Sequence, residues 1–319
     1  MGRSKYLHKL KERLAGAAAE AGAVACGFAS ATGGADHSAS EVFDRWLEQG
    51  CNAGMAYMAN HRELRGHPLR LLADDEGHSP REGTVMVCAF SYYSAEKPAG
   101  DVNLAMYARG ADYHDVLRRR LRPAAALLER EGFQARICVD SAPVMEKYWA
   151  VKAGIGFAGR NSLLIIPEAG STVFLAEIIT DAELPPDIPC AVGCRECGAC
   201  VRACPGGAIR PDGTVDARRC LSYLTIEHRG EWSGEQRAIA ESGEAACIYG
   251  CDICQRVCPH NRSLDPSHTI PELRMRPQVA TLTRSQILVM EQPEFSSIFA
   301  GSAVKRAKLA GLRRNASRK

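Results

Sequence analysis

The chain has 319 residues, of which 46% are hydrophobic and 24% are charged, and this is enough for one large domain and one small domain. The formal net charge of +3 is too small to indicate nucleic-acid binding by itself. No run of residues is apolar enough to span a bilayer, so we expect no membrane association. The charged segment from Met1 to Leu14 lacks the apolar centre of a signal peptide.

The fourteen cysteines are unevenly distributed. Cys26, Cys51, Cys88 and Cys138 are isolated and are interpreted as core residues, whereas the remaining ten lie between Cys190 and Cys258. Such clustering indicates metal ligands rather than disulfides. Clustered thiols stay available as ligands in a reducing compartment, and we therefore expect a cytoplasmic protein.

The region before residue 185 alternates helical and strand patterns, which indicates an α/β domain. The predicted helices cover residues 6–21, 41–60, 113–131 and 144–153, and the predicted strands cover residues 84–90, 135–139 and 171–180. Pro123 should kink or split the third helix, and Pro143 should lie in the first turn of the fourth. We expect three parts: residues 1–185 form this domain, residues 186–264 form a cysteine-rich domain, and residues 265–319 form a short helical tail.

The end of the tail is basic. It contains no acidic residue after position 304, and its cations are Lys305, Arg306, Lys308, Arg313, Arg314, Arg318 and Lys319. Such a segment is suited to phosphate contact, although a solvated helix end has the same composition.

Two cysteine motifs dominate the second domain. Cys194, Cys197, Cys200 and Cys204 with Pro205 form C-x2-C-x2-C-x3-C-P, the bacterial ferredoxin motif in which the fourth cysteine binds the other cluster. Cys251, Cys254 and Cys258 with Pro259 form a shorter second motif, and Cys220 is the natural eighth ligand. We assign Cys194, Cys197, Cys200 and Cys258 to one 4Fe-4S cluster, and Cys204, Cys220, Cys251 and Cys254 to the other.

Two alternatives to this ligand set are open. A pair of four-cysteine zinc sites also uses C-x2-C spacing, but zinc sites need neither the third cysteine nor the following proline. Cys190 and Cys247 lie close to the motifs in sequence and could compete as ligands.

Asp140 is the candidate acid of the first domain. It follows a predicted strand and precedes a predicted helix, where an aspartate is most often an N-cap. It could also be an acid in a cleft, with its pKa raised by burial. The nearby Gly154, Gly156 and Gly159 would permit close approach to a flat ligand, although such glycines are a weak signal.

Motifs from both domains resemble the epoxyqueuosine reductase family, and they occur in the family's order along nearly the whole chain. These motifs are residues 107–110 (YARG), 112–114 (DYH), 140–144 (DSAPV), 153–157 (AGIGF), 159–161 (GRN), 219–225 (RCLSYLT) and 249–255 (YGCDICQ). The resemblance implies a nitroreductase-like cobalamin-binding domain followed by a ferredoxin-like domain with two 4Fe-4S clusters.

The resemblance also implies the function. The chain would be an oxidoreductase that uses cobalamin to reduce epoxyqueuosine to queuosine at the wobble position of tRNA, with electrons fed from the clusters. Asp140 matches the family's proton donor and lines the cofactor. The other positions that match cofactor contacts are Arg65, Ala105, Asn161, Leu164, Leu175 and Ser222. The expected partners are the tRNA anticodon arm and an unidentified electron donor, and the expected state is a monomer.

Two departures from the family and two alternative functions remain. Arg160 stands where relatives commonly have lysine. The helical repeats with which longer relatives bind tRNA are not expected here, so the basic tail would contribute to tRNA binding.

A cobalamin-dependent reductive dehalogenase shares the same cofactors, but those proteins usually carry a twin-arginine leader. A ferredoxin-type electron carrier would leave Asp140 without a role.

Overall fold

The computed structural model describes residues 2–242 and 247–318. The strands are β1 (Ala25–Ser30), β2 (Thr84–Ser91), β3 (Asn103–Leu104), β4 (Ala135–Cys138), β5 (Phe157–Ala158), β6 (Leu164–Ile165), β7 (Val173–Thr180) and β8 (Cys247–Tyr249). The helices before the cysteine-rich region are α1 (Arg3–Glu20), α2 (His37–Glu48), α3 (Arg62–Gly66), α4 (Tyr113–Arg130) and α5 (Glu146–Lys152).

Short helices dominate the second half of the chain. They are α6 (Ala199–Ala203), α7 (Leu221–Ile226), α8 (Gly234–Glu241), α9 (Ile253–Arg256), α10 (Pro277–Ala280), α11 (Arg284–Val289), α12 (Gln292–Ile298) and α13 (Lys308–Ala316). In the part of the chain that the structure describes, no helix combines the length and the apolar character needed to cross a membrane.

A four-stranded antiparallel sheet organises the first part, with the strand order β1-β2-β7-β4. Every residue of β2 is buried, because helices cover both faces of the sheet. On one face, Met86, Cys88 and Phe90 pack in a core with α1 and α4. On the other face, Val85, Val87 and Ala89 pack in a core with α5. The fold is therefore α+β, with a mixed arrangement of helices around an antiparallel sheet.

Periodicity explains how α1 and α4 cover the sheet. In α1 the buried residues Leu7, Leu10, Leu14 and Ala18 recur every three or four positions, which places them on one side of the helix. The expectation that Pro123 would split α4 was wrong, because the helix runs unbroken from Tyr113 to Arg130. Pro123 is exposed, and the apolar neighbours Leu121 and Ala124 hold the flanking turns in the core.

Some predicted boundaries were also wrong. The helix expected over residues 41–60 ends at Glu48, where Gly50 takes a left-handed conformation with φ +65°. Residues that follow form turns and a 3-10 helix at Ala56–Met58. The fourth helix begins at Glu146 rather than at 144, so that Pro143 lies in the preceding bend.

A third hydrophobic core joins distant parts of the chain. Strand β3 pairs in parallel with β8, and Val102 and Leu104 share a core with Tyr249. The same core includes Ile287, Phe299 and Leu312 of the last helices. The segment after residue 265 therefore shares a core with the segment that precedes α4. The division into three domains stays a prediction.

Two of the tail arginines that we expected to contact phosphate face inward. Arg314 donates to the carbonyl oxygens of Leu224 and Gly230 at 2.8 and 2.7 Å, and its guanidinium lies 4.4 Å from the centre of the Trp232 ring. Arg318 is buried and donates to the carbonyl oxygen of Ala240 at 2.7 Å. These side chains stabilise the fold, whereas Lys305 and Lys308 are exposed. Lys319 lies outside the described residues.

Candidate functional site

The first group of cysteines surrounds a small cavity. Cys194, Cys197, Cys200 and Cys258 all line it, together with Arg160, Asn161 and His260. Gly198 precedes α6 in a left-handed conformation, which turns the chain between Cys197 and Cys200. Burial raises the pKa of Cys258, and so do the charges of Cys194 and Cys197. The thiols that the sequence assigned to one cluster are therefore brought together.

The second group lies between α6, α7 and α9. Burial raises the pKa of Cys254, and the charges of Cys251, Cys220 and Cys204 raise it further, so these four thiols are neighbours. The charge of Cys200, which belongs to the first group, acts on Cys254 as well. The two groups therefore adjoin. The ligand role of each cysteine stays a prediction.

Both competing cysteines lie near these groups. Cys190 packs beside Cys194 and Cys258, and Cys247 is buried in β8, where its charge raises the pKa of Cys251. Within residues 2–242 and 247–318, no three His, Cys, Asp or Glu side chains are arranged to hold a single metal ion. The thiolates of a 4Fe-4S cluster bind four different irons and need not converge on one point.

Asp140 lies just after β4, in a bend, with φ +54°. This left-handed conformation is uncommon for residues other than glycine, asparagine and aspartate. The N-cap interpretation of Asp140 was wrong, because α5 begins six residues later, at Glu146, and its N-cap position is Met145. The main-chain nitrogen of Asp140 donates to Oε1 of Glu146 at 2.5 Å. Because this hydrogen bond uses the main chain of Asp140, the side chain of Asp140 remains available for other contacts.

Two neighbouring residues at the start of α4 bind the Asp140 carboxylate. Tyr113 Oη donates to Asp140 Oδ2 at 2.7 Å, and His114 Nε2 lies 3.2 Å from the same oxygen. The Asp140 side chain nevertheless remains 58% exposed, so a substrate can reach it. Burial alone would raise the pKa of Asp140, but the hydrogen bonds from His114 and Tyr113 outweigh it and lower the pKa.

His114 is held between two carboxylates. Its Nδ1 lies 2.6 Å from Oδ1 of Asp112, the N-cap of α4, and its Nε2 faces Asp140. Its ring stacks on Tyr113, with 4.1 Å between ring centres. Burial alone would lower the pKa of His114, but the hydrogen bonds to Asp112 and Asp140 raise it to about 9. The imidazole is therefore protonated at neutral pH.

One buried and one half-buried acidic residue, Glu177 and Glu146, lie close to Asp140. Glu177 is fully buried in β7, and neither of its carboxyl oxygens has a hydrogen-bond partner among the described residues. Burial raises the pKa of Glu177, and the charges of Glu146 and Asp140 raise it further. Burial also raises the pKa of Glu146. Acidic groups that would repel each other as anions are in this way kept protonated.

Several unpaired polar atoms mark the region expected to hold the cofactor. Arg65 Nε, Arg160 Nε and Asn161 Nδ2 are buried and have no hydrogen-bond partner among the described residues. Met145, in the bend after Asp140, donates from its main-chain nitrogen to the Arg65 carbonyl oxygen at 3.3 Å, which connects α3 to this bend. Buried donors are normally paired, so these three atoms fit a ligand that carries hydrogen-bond acceptors. The amide side chains around a corrin ring are such acceptors.

The remaining predicted contact residues occupy several elements. Leu164 in β6 is buried, and Leu175 in β7 is half-buried on the face that α5 covers. Ala105 is buried and packs against Gly250, where an added Cβ would come within 2.4 Å of the Ala105 Cβ. Ser222 lies in the first turn of α7, beside Cys220. Their roles as cofactor contacts stay predictions.

The glycines after α5 serve a different purpose from the one expected. A Cβ at Gly154 would lie 2.3 Å from the Ile188 carbonyl oxygen, and a Cβ at Gly156 would lie 2.4 Å from the Ile165 carbonyl oxygen. A Cβ at Gly159 would meet the Ile165 side chain at 2.6 Å. These glycines therefore permit close approach of the chain to itself, and the interpretation that they face a flat ligand was wrong.

Sequence reasoning missed the roles of His114, Glu146 and Glu177. The signal for Glu177 was present, since it is the one charged residue in the apolar strand β7. An unpaired acid inside a buried strand is costly and is often associated with function. For His114 no periodicity could have shown that the start of α4 reaches the end of β4.

Two family models match the chain. The model described as "4Fe-4S double cluster binding domain" covers residues 193–261, which include all eight predicted ligands. The model described as "Epoxyqueuosine reductase QueG, DUF1730" covers residues 76–141, which end one residue after Asp140. The first match confirms the expected two clusters, and the zinc alternative is set aside.

Relatives and solved structures agree over most of the chain. An epoxyqueuosine reductase of Cellulophaga algicola is 38% identical over 275 residues, which are 85% of this chain and 86% of that protein. A crystal structure of an epoxyqueuosine reductase with an epoxyqueuosine-modified tRNA-Tyr stem loop matches with a TM-score of 0.85 and 28% identity over 97% of this chain and 80% of the other. A Bacillus subtilis epoxyqueuosine reductase with its catalytic aspartate loop swung out of the active site matches with a TM-score of 0.83 and 28% identity, over 97% of this chain and 80% of that one.

Proposed function

The chain belongs to the epoxyqueuosine reductase family, and from this premise we propose which of its residues carry out the reaction. It is an oxidoreductase that reduces epoxyqueuosine in tRNA. We place the modified nucleoside at the wobble position and Asp140 at the reacting epoxide. The exposed carboxylate of Asp140, held by two hydrogen bonds at the end of β4, is the observation that carries this proposal.

Asp140 is suited to act as the acid of the reaction. Opening an epoxide generates negative charge on the oxygen, and a proton donor at hydrogen-bond distance lowers that barrier. Tyr113 and His114 both bind Asp140 Oδ2, so they fix the direction of the carboxyl group while its other oxygen remains available. Because its pKa is lowered, the resting group is a carboxylate, which first takes up a proton and then gives it to the oxygen as the carbon-oxygen bond breaks.

The cofactors are two 4Fe-4S clusters and cobalamin. The eight cysteines assigned above would hold the clusters, and the adjacency of Cys200 and Cys254 is consistent with electron transfer between them. The unpaired donors of Arg65, Arg160 and Asn161 would bind the corrin side chains. Cobalamin, when bound, supplies the reduced cobalt that delivers electrons to the epoxide-bearing ring. Ala105, Leu164, Leu175 and Ser222 would pack around it.

Movement of the Asp140 loop fits this role. In the Bacillus subtilis relative, the catalytic aspartate loop is found swung out of the active site. Here Asp140 has a left-handed backbone, and its loop is anchored by the Glu146 bond and the bond from Met145 to Arg65. A loop held by hydrogen bonds in a sparsely populated conformation can exchange between two positions. We propose that it closes when tRNA binds.

The partners follow from the same proposal. The chain binds the anticodon arm of tRNA, receives electrons from a donor of unknown identity, and acts as a monomer. Because exposed iron-sulfur ligands such as Cys197 need a reducing environment, we place the enzyme in the cytoplasm.

Reduction of modified tRNA by purified protein tests the function. The protein is loaded anaerobically with iron, sulfide and cobalamin, then given a chemical reductant and tRNA that carries epoxyqueuosine, and the digested nucleosides are identified. We expect queuosine from the unchanged protein and a loss of at least about 100-fold in Asp140→Asn, the range for removal of a general acid.

Asp75→Asn is the matched control, because Asp75 is an exposed carboxylate in the loop before β2. Iron content and corrin absorbance should be equal in all three proteins. Full activity of Asp140→Asn would remove Asp140 from the reaction, and an inactive unchanged protein that holds both cofactors would contradict the function itself.

A further inference from the structure

The reduction of an epoxide requires two protons. Two carbon-oxygen bonds break, a carbon-carbon double bond forms, and the oxygen leaves as water after accepting two electrons and two protons. The electrons come through the clusters and the cobalamin of the proposed function. Asp140 rests as a carboxylate, because the hydrogen bonds from His114 and Tyr113 lower its pKa, and it can carry only one proton at a time. A group other than Asp140 must therefore supply each proton.

The residues around Asp140 differ in their ability to supply that proton. Tyr113 donates to Asp140, but burial and the charge of Asp140 raise its pKa, so it keeps its proton. Lys147 donates to the Ser162 carbonyl oxygen at 2.8 Å and has no hydrogen bond to Asp140 among the described residues. Glu146 binds the main-chain nitrogen of Asp140 and not its carboxylate.

His114 has the geometry that the others lack. Its Nε2 lies 3.2 Å from Asp140 Oδ2, and its Nδ1 is bound to Asp112 at 2.6 Å, which orients the ring. A histidine held by one carboxylate and directed at another can pass a proton along that line. Its side chain is 26% exposed, so water can return a proton to the ring after each transfer.

We infer that His114 supplies both protons, each time by transferring one from Nε2 to the Asp140 carboxylate, which then passes it to the epoxide oxygen. The inference rests on the proposed function and adds to it a line of proton supply, Asp112–His114–Asp140. For each of the two protons, the N–H bond of His114 breaks, the O–H bond of Asp140 forms and then breaks as the proton passes to the substrate oxygen, and solvent restores the imidazolium. His114 acts through Asp140 and does not contact the substrate in this scheme.

The charges that face His114 agree with this role. Asp112 and Asp140 both stabilise the imidazolium, and together they raise the pKa of His114 to about 9. His114 lowers the pKa of Asp140 in return, so the resting pair is an imidazolium beside a carboxylate. The other titratable groups that interact with this pair are Tyr113, Glu146, Lys147 and Glu177, and Arg118 acts on Asp112.

The pH dependence of His114→Gln tests the inference. Glutamine keeps a hydrogen-bonding side chain but carries no titratable proton. Single-turnover rates are measured from pH 6 to pH 9.5 with reconstituted protein and epoxyqueuosine-containing tRNA. The unchanged protein should keep its rate until the pH approaches 9. The variant should already be at least about tenfold slower at pH 8 and should recover toward pH 6, where solvent can protonate Asp140 directly.

His78→Gln is the matched control, because His78 is an exposed histidine near two carboxylates, Asp74 and Glu76, in the loop before β2. The single-turnover rate of His78→Gln should equal that of the unchanged protein at every pH. Added imidazole should restore part of the rate of His114→Gln and should not affect His78→Gln. Iron content and tRNA affinity, measured in parallel, should be the same in all proteins.

Asp112→Asn provides a second test in which the N-cap of α4 is kept. Asparagine keeps the oxygen that caps α4 by accepting from the His114 main-chain nitrogen. Because the negative charge is lost, the pKa of His114 should fall, and the alkaline decline of the rate should move from about 9 toward the ordinary value of 6.5.

Three results would overturn the inference. The first is a His114→Gln rate equal to that of the unchanged protein across the pH range. The second is an equal loss at every pH without imidazole rescue, which would indicate a structural role. The third is a rate of Asp112→Asn that declines at the same alkaline pH as the rate of the unchanged protein. All three presuppose that the unchanged protein reduces the tRNA, so they are distinct from a failure of the proposed function.

Discussion

The carboxylate of Glu146 accepts a hydrogen bond from the main-chain nitrogen of Asp140, and the two residues thereby close the bend between β4 and α5. Asp140 keeps φ +54° inside this bend. A left-handed conformation costs free energy, so it persists only where other contacts hold it. Glu146 is the contact that does so from α5.

Loss of this acceptor should slow the reaction without unfolding the protein. In Glu146→Ala the Asp140 loop loses its anchor, and we expect the single-turnover rate to fall up to about tenfold, since a hydrogen bond to a neutral group contributes about 0.5–1.5 kcal/mol. Glu146→Gln keeps an oxygen at this position and should retain most of the rate. Equal rates for the alanine variant and the unchanged protein would show that the loop is held by other contacts.

The buried Glu177 should make stability depend on pH. Its pKa in the fold is raised above the ordinary 4.5, so the folded state keeps a proton that the unfolded chain loses as the pH rises above that value. The contribution of Glu177 to stability is therefore full below pH 4.5 and declines at higher pH. Glu177→Gln cannot lose a proton and should have a higher urea midpoint than the unchanged protein at pH 8.

The difference between the two midpoints should shrink as the pH is lowered to 5. Glu82→Gln, in which an exposed glutamate just before β2 is replaced, is the control and should change neither midpoint. If the unchanged protein and Glu177→Gln respond to pH in the same way, then Glu177 is ionised in the fold and has a partner.

Iron analysis should distinguish the candidates for the eighth cluster ligand. Cys220 lies at the start of α7, beside Cys204, whereas Cys247 is buried in β8. Cys220→Ala should lose about half of the iron, because a cubane with three thiolates is labile. Cys247→Ala should keep it. The reverse result would make Cys247 the ligand.

The tail should show two separate effects. Arg314 binds three carbonyl oxygens, those of Leu224, His228 and Gly230, and its pKa is lowered to about 10 by burial. Arg314→Ala should therefore lower the urea midpoint, since three carbonyl oxygens lose their donor and the contact with the Trp232 ring is removed. The change in midpoint would be read by far-ultraviolet circular dichroism.

The exposed lysines of the same segment should affect tRNA and not stability. Replacing both Lys305 and Lys308 by alanine should weaken tRNA binding and reduce the slope of log Kd against log salt by about 0.7–0.9 for each lost phosphate contact. The urea midpoint should stay the same. An unchanged salt slope would place the tRNA on another surface.

Local patterns in the sequence predicted much of the fold and the presence of two iron-sulfur clusters. Strand β2 has a continuous apolar run, and the cysteine motifs have fixed spacing, so both could be recognised without knowing the fold. The expectation that Pro123 would split α4 failed because the side of the helix that bears Pro123 faces solvent, while Leu121 and Ala124 hold the flanking turns in the core. The short strands β3 and β8 carry too few residues for a pattern, and they exist because the third core holds them together.

The acid site, formed by Asp140, His114 and Glu146, was predicted only in part. Asp140 was identified by its position after a strand and by family resemblance. Its partners His114 and Glu146 come from the starts of two different helices, and only the packing of α4 and α5 around the end of β4 brings them together. The pKa of Asp140 is lowered rather than raised, because the histidine charge outweighs burial, and this could not be read from burial alone.

The third hydrophobic core has a consequence for synthesis of the protein. Val102 and Leu104, which precede the helix that bears His114, pack against Phe299 and Leu312. Domains generally begin to fold as they leave the ribosome, but this core cannot close until α13 has been translated. The segment next to the acid site therefore matures last, together with the C-terminal helices, and a nascent chain halted before Leu312 would expose an apolar surface that chaperones recognise.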